Sequence, residues 1–254
     1  MRALSNEFVS QNVIFLEYRE AEYAEGQELP YRSKRLNRFM DAWSLQRDPE
    51  DDSPHTPLLM VDSGRWISFG FSDYRAEYRR MVSAALDRPA EMAIHARKTR
   101  PVGGSFVVDA QVTNLTHRTI SADENEATLH VFIFEGRRIR DIEWEVDRMA
   151  SRHVPIETPL YPGETQHFQV KMDGFRRELY PSRVEAIVFV DALSSMEPRR
   201  WDMLQAAVAG SEGFPPVPPV VPTATPTTAP PTASSVPTVL PTSSPIIISL
   251  PVLL

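Results

Sequence analysis

Residues 55–71, HTPLLMVDSGRWISFGF, decide how the rest of the chain is read. Two apolar runs, Leu58 to Val61 and Trp66 to Phe71, flank Asp62-Ser63-Gly64-Arg65, which is hairpin spacing with glycine where a positive φ is needed. The stretch predicts a tight antiparallel hairpin. Pro57 stands at the head of the first run, where a proline gives up no central ladder bond.

Outward from the hairpin, the pattern is that of an α/β layer. Residues 3–9 read as the end of a helix, and Val13 to Tyr18, VIFLEY, as a short buried strand. Residues 33–46 place Leu36, Phe39, Met40 and Trp43 at helical spacing with Lys34, Arg35 and Arg38 turned outward, which predicts an amphipathic helix. Asp48 to Pro54 form an acidic, turn-rich linker into the hairpin. After it, Ser72 or Asp73 is placed to cap a helix to about Leu86, with Tyr74, Tyr78, Met81, Val82 and Ala85 as its buried stripe. Helix, strand, helix, strand, strand, helix is an α/β order.

From Arg88-Pro89 the grammar changes to alternating strands: Glu91 to Arg97, Phe106 to Val112, Thr128 to Phe134, Thr165 to Met172, Arg183 to Val190 and Met203 to Val208. Turn residues separate them at Gly103-Gly104, Asn114 to His117, Gly136, Pro162-Gly163 and Asp173-Gly174. This spacing predicts an all-β immunoglobulin-like sandwich of about seven strands. The expected units are therefore residues 1–88 for the α/β layer and 89–210 for the sandwich.

Beyond Gly210 the only charged residue is Glu212, and roughly half of the chain's 23 prolines lie here among Thr, Ser, Val and Ala. Residues 211–245 read as a Pro/Thr-rich spacer of extended, solvated chain, with a reach on the order of 90 Å at about 3 Å per residue. Residues 246–254, IIISLPVLL, form a short apolar terminus that is too short and too interrupted at Pro251 to span a bilayer. It reads as a sorting tag, a docking peptide or a clipped anchor, and residues 215–254 are expected to have no packed structure.

Composition excludes several classes of function. With 254 residues and a net charge of −7, the chain is long enough for two domains and too acidic to wrap a polyanion, so no nucleic-acid partner is expected. Cysteine is absent, which removes disulfides, thiolate nucleophiles and Cys-ligated metals from these residues. Residues 1–11 lack the apolar core of a signal peptide, which points to a cytoplasmic protein or to a true start upstream of Met1. No transmembrane helix and no cofactor are expected.

Candidate chemistry is sparse. Glu17, Glu20, Glu22 and Glu25 flank two tyrosines, but nothing fixes a carboxylate separation for acid–base work, and a solvated acidic loop is the simpler account. Asp48, Glu50, Asp51 and Asp52 lack the ligand alternation and central glycine of a calcium loop. The six histidines, 55, 95, 117, 130, 153 and 167, show no pair at metal-ligand spacing. Ser63 and Ser68 lie in no Gly-x-Ser-x-Gly elbow. Asn114-Leu115-Thr116 matches a glycosylation sequon but reads more simply as a strand-end turn, and Arg137, Arg138 and Arg140 read as a solvated hairpin end.

The pieces VIFLEY, TPLLMVDSG, the YRRMVSAAL helix with Arg88-Pro89, VTNLT, the LYPGET turn and VEAIVFVDA followed by WDMLQAAV, in this order, resemble bacterial thioredoxin-like proteins fused to a β-sandwich. That group includes outer-membrane lipoproteins and secreted proteins. The resemblance implies a cis peptide at Thr56-Pro57 and a candidate site face at His55, Thr56 and Pro57. It also implies a first strand between VIFLEY and the hairpin and a Cys-x-x-Cys, and this chain has neither. Omitting a central strand strands two rows of backbone polar groups at about 1 to 3 kcal/mol each, so either Val13 to Tyr18 slides across to the hairpin or the chain is N-terminally incomplete.

The expected function is that of a non-catalytic, extracytoplasmic protein, secreted or at the cell surface, with a degenerate thioredoxin-like domain. It would bind a protein or cell-envelope component or serve in surface structure. The alternative is a thiol-disulfide oxidoreductase whose Cys-bearing start is missing. A metal-dependent hydrolase would need an ion among Asp48 to Asp52 and His55.

Overall fold

The computed structural model describes residues 7–8, 13–19, 59–68, 74–99, 105–140, 143–172, 184–196, 199–210 and 246–252, with 16–19, 135–140, 143–150, 195–196, 199 and 246–252 described as backbone. The expected helix over 33–46, the linker 48–54, the helix cap at 72–73 and the spacer 211–245 lie outside them. The described chain is mostly β. Its strands are β1 Val13–Arg19, β2 Leu59–Val61, β3 Trp66–Ser68, β4 Met92–Lys98, β5 Phe106–Asn114, β6 Thr128–Arg140, β7 Glu143–Pro155, β8 Thr165–Met172, β9 Val184–Met196, β10 Arg199–Val208 and β11 Ile246–Val252. Two helices, α1 Tyr74–Leu86 and α2 Ala122–Asn125, complete them.

The hairpin forms as expected, with Leu59 opposite Ser68 and Val61 opposite Trp66. Its turn is tighter in conformation than glycine alone implies, since Asp62 (φ 51°), Ser63 (φ 57°) and Gly64 (φ 93°) are all left-handed. Helix α1 buries Tyr78, Met81, Val82 and Ala85 against Phe8, Val13, Phe15, Leu59 and Val61. At roughly 1.5 to 3 kcal/mol for each large side chain taken out of water, this apolar cluster fastens the hairpin to β1. Tyr74 departs from the expected stripe and is 41% exposed, because it sits at the first turn of the helix, beyond that cluster.

Strands β4, β5 and β8 make a three-stranded antiparallel sheet in the order β4-β5-β8. Its inward residues, Met92, Phe106, Val108, Val112 and Met172 among them, close on Leu129, Val131, Ile133, Val188 and Val190 from β6 and β9. Two sheets packed through one apolar layer are a sandwich. The opposite face of β6 and β9 is buried too, at His130, Phe132, Phe134, Ile187 and Phe189.

Strand β7 was not expected. Its sequence, EWEVDRMASRHVP, is too charged to read as a buried strand, but it pairs along β6 with Arg137 opposite Glu145 and Arg140 opposite Glu143. Arg137, Arg138 and Arg140 accordingly stand within β6 rather than between strands, at the end of the hairpin that β6 and β7 form.

Residues 246–252, expected to lack packed structure, form β11, which runs parallel to β1 from Val13 opposite Ile246 to Arg19 opposite Val252. On its other side it meets β2 antiparallel, at Ile248 opposite Val61 and Ser249 opposite Met60. Strand β1 therefore does not slide across to the hairpin; β11 stands between them and takes up the backbone groups that a gap would leave unpaired. Pro251 lies beyond the pairing with β2, which runs through Ile248 and Ser249, and stands opposite Tyr18 in the ladder with β1. The outer edge of β1 pairs parallel with β7, giving one eight-stranded sheet, β10-β9-β6-β7-β1-β11-β2-β3.

Candidate functional site

The densest set of charged groups in the described residues lies where the hairpin turn meets β10. Left-handed backbone at Asp62 and Ser63 turns the Asp62 carboxylate inward, where it is 5% exposed. Arg88, just beyond α1, donates to it from Nη1 at 2.7 Å and to Glu91 from Nη2 at 2.9 Å. From β10, Asp202 approaches Arg88 at 3.7 Å and accepts a hydrogen bond from Arg65 on the hairpin. Arg118, from the turn after β5, reaches Glu91 at 3.4 Å. Arg65 also lies over the Trp66 ring, 5.3 Å from its centroid, as a cation–π contact.

Burial dominates the electrostatics. It pushes the Asp62 carboxyl up to about 6, with Arg88 offsetting only part of the desolvation. Burial disfavours the charge on Arg88 as well and by itself lowers its pKa, but Asp62, Asp202 and Glu91 outweigh it and raise the pKa. The arginine is thus permanently charged, and the network is built around it. Ser68, the other serine of the hairpin, donates from Oγ to Glu77 of α1 at 2.5 Å, which makes it a tie between strand and helix.

A second polar arrangement crosses the sandwich. His130 on β6 is buried, stacks on Phe189 with ring centroids 4.6 Å apart, and bonds Asp191 Oδ1 through Nε2 at 2.9 Å. Its Nδ1 lies 2.8 Å from Nδ1 of His153 on β7, which is exposed. With Asp191 ionised, Nε2–H is the donor to the carboxylate and His153 donates to the remaining lone pair at Nδ1, so the row can hold a proton in a defined place. Register creates this row, since His130 faces His153 in one ladder and Phe189 in the other. A separation of 23 residues gives no spacing signal for it. The three groups bond one another in series and do not converge on a common point. Among the described residues no group of three His, Cys, Asp or Glu is arranged to hold a metal ion.

Asn114 settles the sequon. It is fully buried, its Nδ2 donates to Arg118 O and Leu160 O at 2.8 Å each, and its Oδ1 accepts from the Thr116 N–H at 2.9 Å and hydroxyl at 2.7 Å. An amide using all its hydrogen-bonding capacity is the hub of a turn. The site face expected at His55, Thr56 and Pro57 lies outside the described residues, as do Asp48 to Asp52 and Glu20, Glu22 and Glu25. His95 is on β4, His167 on β8 and His117 in the turn after β5, apart from the His130 row.

No family model matches the sequence, and no curated protein does. Among solved structures the chain is similar to a domain of the outer membrane lipoprotein Omp28 from Porphyromonas gingivalis, at 9% identity over 48% of this chain and 88% of that one, with a TM-score of 0.29. It is also similar to a GH3 beta-glucosidase from Bifidobacterium adolescentis, at 19% identity over 46% of this chain and 16% of that one, TM-score 0.24. Spo0M, a sporulation control protein from Bacillus subtilis, is similar at 14% identity over 47% of this chain and 50% of that one, TM-score 0.23. No site residue is carried over from them. No helix among the described residues is long and apolar enough to cross a membrane.

Proposed function

We propose that the chain is a non-catalytic binding or surface-structural protein that works outside the cytoplasm, built from a degenerate thioredoxin-like layer and an immunoglobulin-like sandwich. The observation that carries this reading is the junction around Arg88, whose acids and bases neutralise one another. Asp62 and Glu91 take Arg88, and Asp202 takes Arg65. Such an arrangement suits holding a hairpin to a sandwich better than turning over a substrate.

The order β1-β11-β2-β3 followed in sequence from β3 by α1 supports the thioredoxin-like part, with Ile246–Val252 standing where the resemblance implies a first strand. That segment brings no cysteine with it. The Pro/Thr composition of residues 211–245 supports a role in display, with a cell-envelope component or another protein as partner. Protease added to intact cells that produce the chain is expected to cleave it while a cytoplasmic marker stays whole. Protection until the cells are lysed would overturn the placement outside the cytoplasm.

A further inference from the structure

Strand β11 is far in sequence from both of its neighbours in the eight-stranded sheet. Its neighbours come from residues 13–19 and 59–61, while the nearest described residue preceding it in sequence is Gly210, with 35 residues between it and Ile246. Fully extended, a connector of that length reaches on the order of 120 Å, and as a flexible coil it spans roughly 30 Å. The ladders of the sandwich, β4-β5-β8 and β10-β9-β6-β7, are complete without β11. What β11 completes is the slot between β1 and β2, whose facing edges present unpaired N–H and C=O groups whenever it is absent.

The pairing is also uneven. Along β1 the partnership runs the whole length of the strand, whereas with β2 it is confined to Ile248 and Ser249. An occupant can therefore leave or enter from the β2 side before it gives up β1. The occupant itself, IIISLPV, is uncharged and apolar, and its proline lies outside the β2 ladder. A second copy of the chain carries the same segment, in the same register, on an equally long connector.

We propose that the slot between β1 and β2 is a strand-acceptor site that takes Ile246–Val252 from a second copy as well as from its own chain, so that two copies exchange this strand. Tethering through 35 residues gives the chain's own strand an effective concentration on the order of millimolar. Exchange thus stays minor in dilute solution and grows where copies are crowded, as domain swapping does.

The absence of cysteine makes the test clean. Met60 and Ser249 are opposed in an antiparallel pair, which places their Cβ atoms about 4.5 to 5.5 Å apart, close to disulfide reach. Full-length Met60→Cys/Ser249→Cys, oxidised when dilute, is expected to give a monomer with an internal disulfide. Full-length Met60→Cys and Ser249→Cys chains, unfolded together and refolded at about 10 and then about 100 μM before oxidation, are expected to give a cross-linked heterodimer whose fraction rises severalfold between the two concentrations. An excess of a synthetic peptide of residues 245–254 should suppress it. The comparison is a mixture in which Ser235→Cys, in the connector, replaces Ser249→Cys. Failure of the double variant to close internally would remove β11 from the slot, and heterodimer no greater than with Ser235→Cys would overturn exchange between copies.

Discussion

Arg88 and Asp62 form a buried ion pair, 2.7 Å from Nη1 to Oδ2, that joins the residue after α1 to the left-handed turn of the hairpin. The same guanidinium serves Glu91 at 2.9 Å and stands 3.7 Å from Asp202 on β10. One cation therefore holds three carboxylates from separate parts of the chain.

Removing the cation is expected to cost far more than removing the charge it pairs with. Arg88→Met leaves Asp62 buried without its partner and should lower stability by about 3 to 5 kcal/mol at pH 7. The loss should shrink as pH falls through about 6, where Asp62 takes up a proton. Denaturant unfolding of the variant at pH 7 and pH 5 measures both.

Asp62→Asn tests the pH dependence. Folding raises the Asp62 pKa from 3.8 to about 6, so between these values the folded chain binds more protons than the unfolded one. Stability from this group is present below about pH 4 and is lost as pH rises through 6. The asparagine variant lacks that dependence and, being tolerant of the left-handed conformation, is expected to match or exceed the parent at pH 7, by at most about 3 kcal/mol. As pH falls from 6 to 4 the parent should regain ground on the variant. Parallel unfolding curves at the two pH values would count against a buried, raised carboxyl.

The Tyr78 hydroxyl is buried in the α1 cluster with no hydrogen-bond partner among the described residues, and burial pushes its pKa up to about 12. Tyr78→Phe removes the unpaired group and keeps the ring, so it should be neutral or stabilise by up to about 1 kcal/mol. A melting temperature several degrees lower would mean that the hydroxyl has a partner.

At Asn114 the expectation is opposite. Asn114→Ala strands the carbonyls of Arg118 and Leu160 and the amide of Thr116, and should cost about 2 to 4 kcal/mol. Asn114→Asp keeps the acceptor side but offers nothing to the two carbonyls, so it should be nearly as damaging. Thermal unfolding of the two variants checks the ranking.

What could be read in the sequence was what local pattern controls. Alternation and turn residues marked β4, β5, β6, β8, β9 and β10, and the 3.6-residue stripe gave the buried face of α1. Strand β7 escaped because its sequence is too charged to read as a buried strand, and what places it is the ladder it shares with β6. The His130 row escaped because it exists only once two ladders are in register. Asn114 was legible as a turn, but not as its hub. Ile246–Val252 was read without its neighbours, and a seven-residue apolar segment becomes a strand only if two edges wait for it elsewhere in the chain.

That last case yields a prediction contrary to the expectation from composition. Deleting residues 246–254 opens β1 and β2 to water and removes the parallel ladder from Val13 to Arg19, whereas deleting residues 221–240 shortens the connector and leaves β11 in place. Water replaces part of the lost hydrogen bonding, so the cost of the first deletion is a few kcal/mol rather than the sum over the ladder. At about 2 to 4 °C per kcal/mol for a chain of this size, the melting temperature should fall by roughly 5 to 15 °C. The connector deletion should change it by little, because about 15 remaining residues still span on the order of 50 Å when extended. Ile248→Pro, which removes the N–H at the middle of β11 while keeping every other residue, should reproduce most of the first effect. If all three proteins melted with the parent, β11 would contribute nothing to the fold, and the apolar segment would have to be assigned to something other than the slot.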